Sequence, residues 1–354
     1  MRAAVYYGAH DVRIEDVPEP QRDDGQVVLR VLRSGMCGTD ATEWKAGPLT
    51  FPVNRVHTVT GQTGPMVFGH EFIGEIVEPL PGGAYPAGAL VASGAGVWCG
   101  ACDRCLEGRT NLCRSYFTHG LNAPGGLAEF VAVAEKTLVP IPEGLSLDAA
   151  GLAQPLAVGL HAARRSGIAD GDRVVLIGAG AIGTFVLTGV RHLAPAADIT
   201  VVDFPGHRLE RAARLGAGQV EPVGDDIADR ILDRIPGGAD VVIEASGAPG
   251  QLATAIRLVR DGGTILQVGL PSKSPEVDVH ALVMREITVR TTLAHVCGTD
   301  LGPALEILQT TALAHELLDS VHPLDDIAEQ LERLATGGLE GKVLFDPTLT
   351  KEHA

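Results

Sequence analysis

Aromatic side chains are scarce in this chain: they make up 4% of 354 residues, and only two are tryptophan. Few aromatic anchors and 44 glycines imply many tight turns and decide nothing about function. Positive charge is also short, with 28 Lys and Arg against 44 Asp and Glu for a formal net charge of -16. That balance argues against nucleic acid or an anionic membrane surface as a partner. No apolar run reaches the roughly eighteen residues of a membrane-spanning helix. The N-terminus, MRAAVYYGAHDVRIEDV, alternates like a strand and lacks the apolar stretch of a secretory signal. Together these absences lead to the expectation of a cytoplasmic protein. Internal repeats and low-complexity linkers are missing from the sequence as well. Cysteine is sparse, six in all, but four of the six fall between positions 99 and 113.

What is present is apolar content enough for packed cores, 45% with a mean hydropathy of +0.17, in a chain long for a single core. Domain-size priors therefore favour two domains. Two textures agree with that. Residues 1 to about 90 break into short strand-like runs, among them AAVYY, VVLRVLRSG and EFIGEIVE, separated by Pro, Gly and Asp clusters. From Asp172 strands alternate with helices, the pattern of a parallel sheet. One helix stops at Gly216, and Ile227, Ile231, Leu232 and Ile235 line one face of the next. The strands ADVVIEA and GTILQVG follow, and the tail carries two further helical patterns and a closing strand, GKVLFDP.

The stretch VVLIGAGAIG, Val174 to Gly183, runs directly into the apolar-periodic TFVLTGVRHLA, so its glycines sit at a strand-to-helix turn. That context is what a dinucleotide fingerprint needs. Gly178 permits the tight turn, Gly180 lets the backbone approach a pyrophosphate, and Gly183 lets the helix pack on its strand; Ile182 belongs to the same turn. A second strand, ITVVD, ends at Asp203, twenty residues after Gly183, where a ribose-binding acid is expected. Asp203 favours NAD over NADP because its carboxylate repels a 2'-phosphate, although Arg208 lies close enough to complicate this.

Cys99, Cys102, Cys105 and Cys113 form C-x2-C-x2-C-x7-C. In a reducing compartment such spacing reads as metal ligation before disulfides. Four thiolates with short spacers can close a tetrahedral structural zinc site, with an iron-sulfur cluster or unliganded thiols as the alternatives. A second constellation is dispersed: Cys37 in CGTD, His70 and Glu71 in GHE, and Gln154 in AQPLAVGLHA. Each has a bland explanation, since a buried cysteine often acts as a small hydrophobe and a single histidine is more often structural. Together they suggest an open catalytic zinc with thiolate and imidazole ligands plus one oxygen donor.

With CGTD, GHEFIGEIVE, the four-cysteine lobe, GGLAEFVAV, VVLIGAGAIG and DVVIEASG in this order, the chain resembles the zinc-dependent medium-chain dehydrogenase/reductase superfamily over nearly its whole length. CGTDATEWKAGP and HTVTGQTGPMVFGHE look like its butanediol, sorbitol and threonine dehydrogenase branch. The resemblance implies an α/β protein: a GroES-like β-rich catalytic domain over 1–153 and 292–354, with the structural zinc lobe at about 95–115, and a Rossmann NAD-binding domain over 154–291. It implies two zincs per chain and an active site in the cleft between the domains. Cys37 and His70 match zinc ligands, Glu71 the carboxylate beside the metal, and Thr39 the hydroxyl that takes the substrate proton. Two positions depart from the pattern. Gln154 stands where this branch usually has a glutamate ligand, and Thr42 where many members have the histidine that ends the proton relay.

The implied activity is hydride transfer between NAD(H) and a secondary alcohol or ketone, with a small diol, polyol, cyclitol or sugar-like substrate. A threonine-type amino alcohol is the alternative inside the branch. Outside it stand a zinc-free quinone or enone reductase and a non-catalytic nucleotide-binding protein. Trp44 is a candidate wall of the substrate pocket, with core packing an equal reading. Related enzymes are dimers or tetramers, and an edge strand near Ile287 to Thr291 is a candidate pairing surface.

Overall fold

The computed structural model describes residues 1–350. It contains two compact units, Met1–Gln154 with the chain from Val296 onward, and Pro155–His295.

The first unit is β-rich. Its largest sheet has seven strands: Leu138–Pro140, Leu90–Ser93, Glu71–Glu78, Gln26–Gly35, Lys342–Phe345 and Leu318–His322 in that order, with Phe130–Ala134 also paired to Gln26–Gly35. The sequence QVVLRVLRSG explains the central place of Gln26–Gly35. Val27, Leu29 and Val31 are fully buried, and β-branched and aliphatic side chains suit a pleated, packed surface. These three pack with Phe72, Ile76 and Val131. Gln26–Gly35 runs antiparallel to Glu71–Glu78 in a register that sets Gly35 opposite Glu71. Because Cys37 follows Gly35 by two residues and His70 precedes Glu71 by one, this single register brings two distant segments to one end of the sheet.

The tail is built into the same sheet. Lys342–Phe345, buried at every position, pairs antiparallel with the end of Gln26–Gly35, Leu344 opposite Gly35. Helix Ile327–Ala335 packs against helix Gly38–Ala46 over a cluster that includes Tyr6, Trp44, Phe51, Leu331 and Phe345. Burying each such side chain stabilises the fold by about 1.5–3 kcal/mol. The tail holds more structure than its patterns predict, with three helices (Cys297–Thr310, Leu313–Leu317, Ile327–Ala335) and the strand Leu318–His322. That strand lies at a sheet edge with no fully buried residue, so it lacks the period-two alternation by which a half-buried strand is recognised.

The second unit is a doubly wound sheet. Its six strands run Gln219–Pro222, Asp198–Asp203, Arg173–Ile177, Ala239–Glu244, Val259–Gln267 and Thr288–Thr291, all parallel. In chain order this is 3-2-1-4-5-6, the dinucleotide-binding arrangement. Its strands are near-continuous apolar runs because both faces are covered. One layer packs Val174, Leu176 and Ile243 against Val186 and Val190 of helix Ala181–Leu193. The other packs Val175, Val242 and Ile265 against Ile227, Ile231 and Ile256. The strand order reverses between Arg173–Ile177 and Ala239–Glu244, and ligands bind such sheets outside the strand ends at that switch point.

Candidate active site

Cys37 caps the N-terminus of helix Gly38–Ala46, and its backbone N–H donates to Asp40 Oδ2 at 2.8 Å. A helix N-terminus favours a thiolate. Burial opposes it and, with Glu71 alongside, raises the Cys37 thiol. Donor atoms of Cys37, His70 and Glu71 lie within 4.8 Å of one another. His70 and Glu71 are 6% and 1% exposed. His70 Nδ1 faces Asp40 Oδ1 at 3.8 Å, beyond hydrogen-bond range, and neither atom has a hydrogen-bond partner. Burial pushes the Asp40 carboxyl up to about 7.

These observations fit a metal ion. Zinc holds thiolate and imidazole at about 2.0–2.3 Å, so its donors must converge as these three do. Occupancy would also deprotonate a thiol that burial otherwise keeps protonated. With Nδ1 on the Asp40 side at 3.8 Å, the other ring nitrogen of His70 is left for the metal.

Sequence reasoning missed Lys342. Its ammonium is buried, donating to Met36 O at 2.5 Å and to the Glu71 carboxylate. The pair cancels the charge of Glu71, which leaves Cys37 as the thiolate that faces the metal charge uncompensated. Gly35 makes room for it, since a Cβ there would stand 2.5 Å from Glu71 Oε2. The sole sequence trace of Lys342 is a lysine opening an otherwise apolar strand, which reads equally well as a solvated strand end.

Thr39 is half-buried with its hydroxyl 3.9 Å from Cys37 Sγ. Thr42 is exposed and donates its hydroxyl to Gly38 O at 2.9 Å. Gln154 is 7% exposed, in the first turn of helix Ala153–Ser166. Trp44 packs in the core with Met36, Phe51 and Phe68, and its indole N–H donates to Glu332 at 2.8 Å. That packing leaves Trp44 7% exposed.

The four-cysteine lobe is equally explicit. Cys102 Sγ lies 3.6 Å from Cys105 Sγ and 3.9 Å from Cys113 Sγ, and Cys99 lies 3.9 Å from Cys105. Four sulfurs about 2.3 Å from one zinc stand about 3.8 Å apart, so the lobe has the dimensions of a closed tetrahedral site. Backbone N–H groups of Cys99, Ala101, Cys102 and Ser115 point at its sulfurs. Such donors hold Cys102 down to about 6 and lower Cys99, while desolvation pushes Cys105 up to about 12.

In the second unit the glycine turn lies at the switch point. Gly178 has φ of +99°, which favours glycine, and a Cβ on it would meet Ser246 N at 2.9 Å. A Cβ on Gly183 would strike Gly178 O at 1.9 Å, while one on Gly180 would meet nothing within 4 Å. The helix is thus pressed onto its strand, and open space remains above the turn for a diphosphate. Ile182 packs into the core beneath. Asp203 accepts from Ala179 N at 2.5 Å and Phe204 N at 2.6 Å, and Arg208 Nη1 stands 3.9 Å from it. A crevice of about 80 Å³ is lined by Gly178, Val202, Asp203, Phe204 and Ser246. Phe204 is 70% exposed, an apolar face beside Asp203 in this crevice. Buried Arg211 donates to Ala179 O at 3.1 Å, bracing the turn from behind. Phe204 and Arg211 carry no motif, and only the fold shows them at this site.

The alcohol dehydrogenase GroES-like domain family matches residues 23–143, and the zinc-binding dehydrogenase family matches residues 181–310. An (R,R)-butanediol dehydrogenase of Bacillus subtilis (strain 168) is 33% identical over 93% of this chain and 94% of its own length. A sorbitol dehydrogenase of the same organism is 31% identical over 77% of this chain and 76% of its own. The crystal structure of 2R,3R-butanediol dehydrogenase from Bacillus subtilis superposes with a TM-score of 0.89 at 30% identity, covering 98% of this chain and 99% of that one.

Proposed function

This chain belongs to the zinc-dependent medium-chain dehydrogenase/reductase family, and we propose that it interconverts a small vicinal diol or polyol and the corresponding hydroxyketone with NAD(H). The observation that carries this reading is the convergence of Cys37, His70 and Glu71 beside the Thr39 hydroxyl. Similarity to a butanediol dehydrogenase over 94% of that enzyme's length supports the substrate class.

Zinc at that site would supply a Lewis acid that makes an alcohol hydroxyl acidic near neutral pH, and NAD would supply the hydride acceptor. The chain's own residues do the rest. Cys37, His70 and Gln154 would hold the metal, with Glu71 kept beside it by Lys342. Thr39 receives the hydroxyl proton. Thr42, with its hydroxyl bound to Gly38 O, serves the helix, and the proton leaves from Thr39 by another path. Asp203 selects NAD: both carboxylate oxygens already accept backbone N–H groups, which fixes a negative charge where a 2'-phosphate would sit.

Initial rates of NAD reduction with 2,3-butanediol stereoisomers, sorbitol and threonine test this reading. The highest kcat/KM is expected for a butanediol stereoisomer. Absence of turnover on every diol and polyol by protein carrying two zincs per chain would remove the substrate assignment.

We also propose a homo-oligomer assembled through the second unit. Its edge strand Thr288–Thr291 is exposed at every position, and Val283 and Met284 nearby are 68% and 69% exposed. An unpaired edge beside apolar side chains is a pairing surface. Light scattering should give a dimer or tetramer that Met284→Asp weakens, and a monomeric wild type would sink the idea. Four unbridged thiols in the lobe suit a reducing compartment, and we place the enzyme in the cytoplasm. Recovery in an oxidising compartment on cell fractionation would contradict that placement.

A further inference from the structure

Glu244 ends the strand Ala239–Glu244 at the switch point of the second unit and is 1% exposed. Buried carboxylates are rare unless paired, usually with a cation. Among the described residues, every hydrogen-bond donor to this one is neutral. Oε1 accepts from Ser246 N at 2.7 Å, from Gly247 N at 3.0 Å and from the Ser246 hydroxyl, and Oε2 accepts from Gln267 Nε2. These donors belong to two loops. Ser246 and Gly247 follow the strand itself, and Gln267 ends the neighbouring strand Val259–Gln267, where it also donates to Gly269 O at 2.8 Å. Main-chain bonds join the same loops, since Glu244 O accepts from Val268 N at 2.8 Å and Gly269 N at 2.9 Å. The two backbones touch: a Cβ on Gly269 would stand 2.1 Å from Gly247 N.

The first loop is also a wall of the nucleotide crevice. Ser246 and Ala248 line it with Gly178 and Asp203, and Ser246 N abuts Gly178 itself. The single proton of the Ser246 hydroxyl goes to Glu244, and the same oxygen accepts from Ala248 N at 3.1 Å. That hydroxyl therefore shapes the wall.

We propose that Glu244 is a positioning residue for NAD(H). Its carboxylate holds the loop of residues 245–250 against the glycine turn in advance, so binding the dinucleotide does not have to order that wall. Gln267, which is not part of the crevice lining, braces the wall through Glu244 from the second loop. The inference rests on the crevice binding NAD(H) and is independent of the diol reading.

Titration of the full-length zinc-loaded protein with NADH, followed by nicotinamide fluorescence, tests it, with thermal melts on the same samples. Glu244→Gln keeps the volume and one acceptor oxygen, and should raise the NADH Kd about tenfold; Glu244→Ala should raise it further. Gln267→Met removes a donor to Glu244 from outside the crevice and should raise it about threefold. In steady-state rates the KM for NAD should rise by a larger factor than kcat falls. A purely structural carboxylate would lower the unfolding midpoint and leave the Kd of the folded protein at its wild-type value. That result for Glu244→Gln would overturn the proposal. If the Glu244 variants do not fold, Gln267→Met decides, and an unchanged Kd there overturns it equally. Wild-type protein that binds no NADH would remove the nucleotide site itself, and this inference with it.

Discussion

The two cysteine-bearing sites of the first unit solve the same problem, holding a soft divalent metal, in opposite ways. The lobe takes all four ligands from positions 99–113, with Cys99 exposed and Cys113 buried. Short spacers and backbone N–H donors suffice because the ligands are already local. The other site draws Cys37 from a helix cap and His70 and Glu71 from the start of a distant strand, then secures Glu71 with a lysine 271 residues away. Four thiolates complete a tetrahedron and leave no position for chemistry, whereas a thiolate, an imidazole and weaker oxygen donors leave one open. The difference teaches that the reactive site depends on long-range folding in a way the structural site does not.

Cys37→Ala should produce the largest effect: one zinc per chain lost by elemental analysis and turnover down about a thousandfold or more, since the metal's Lewis acidity is worth several kcal/mol. The fold and the lobe metal should survive. Unchanged zinc content would mean the site does not bind zinc through Cys37 and would collapse the comparison.

Lys342→Met comes next. It strands the buried Glu71 carboxylate, and removing one partner of a buried pair costs about 3–5 kcal/mol. Denaturant melts should register that cost, and Lys342→Arg should recover part of it. A Lys342→Met protein as stable as wild type would show that Glu71 is not held by charge pairing.

Cys105→Ser should cost stability rather than chemistry. The lobe metal should fall to substoichiometric levels and the unfolding midpoint should drop, while the remaining folded protein keeps its kcat. A kcat loss matching that of Cys37→Ala would erase the division of labour between the sites.

Chelation sharpens the contrast without mutation. Under a chelator that competes for zinc, activity should disappear with release of the first metal equivalent, and the second should leave more slowly because four thiolates enclose it. Simultaneous release would argue that the two sites hold metal equally well.

Gln154→Glu should have the smallest effect, slowing loss of the catalytic metal severalfold. A second anionic ligand adds roughly 4 kcal/mol of attraction at 4 Å and an effective dielectric of 20, before desolvation takes most of it back. Equal or faster metal loss would count against Gln154 as a ligand.

The family, the two textures and the spacing of Cys99 to Cys113 were legible without a structure, because each is written in contiguous residues. So was the nucleotide turn, whose three glycines occupy a strained turn, an open cradle and a helix contact. The dispersed set was legible as a list of donors but not as a geometry. Trp44 illustrates the limit: beside CGTD it could wall a pocket or pack, and only the fold shows its hydrogen bond to Glu332 on the tail helix. Thr42 is similar, since its local hydrogen bond to Gly38 O competes with any role further out.

The sequence by itself determined which chemistry is available: thiolates at metal-binding spacing, a glycine turn ending in Asp203, and apolar runs of the right length for each sheet. These are local properties, set by covalent spacing and by the backbone freedom of particular residues. The tertiary structure alone decided which of these groups meet. The register of Gly35 against Glu71 and the return of the tail strand put Lys342 against Glu71, and Lys342 lies 306 positions along the chain from the Met36 carbonyl it also binds. Sequence spacing carries no information about such a contact, because strand pairing and core packing, and not chain connectivity, bring its partners together.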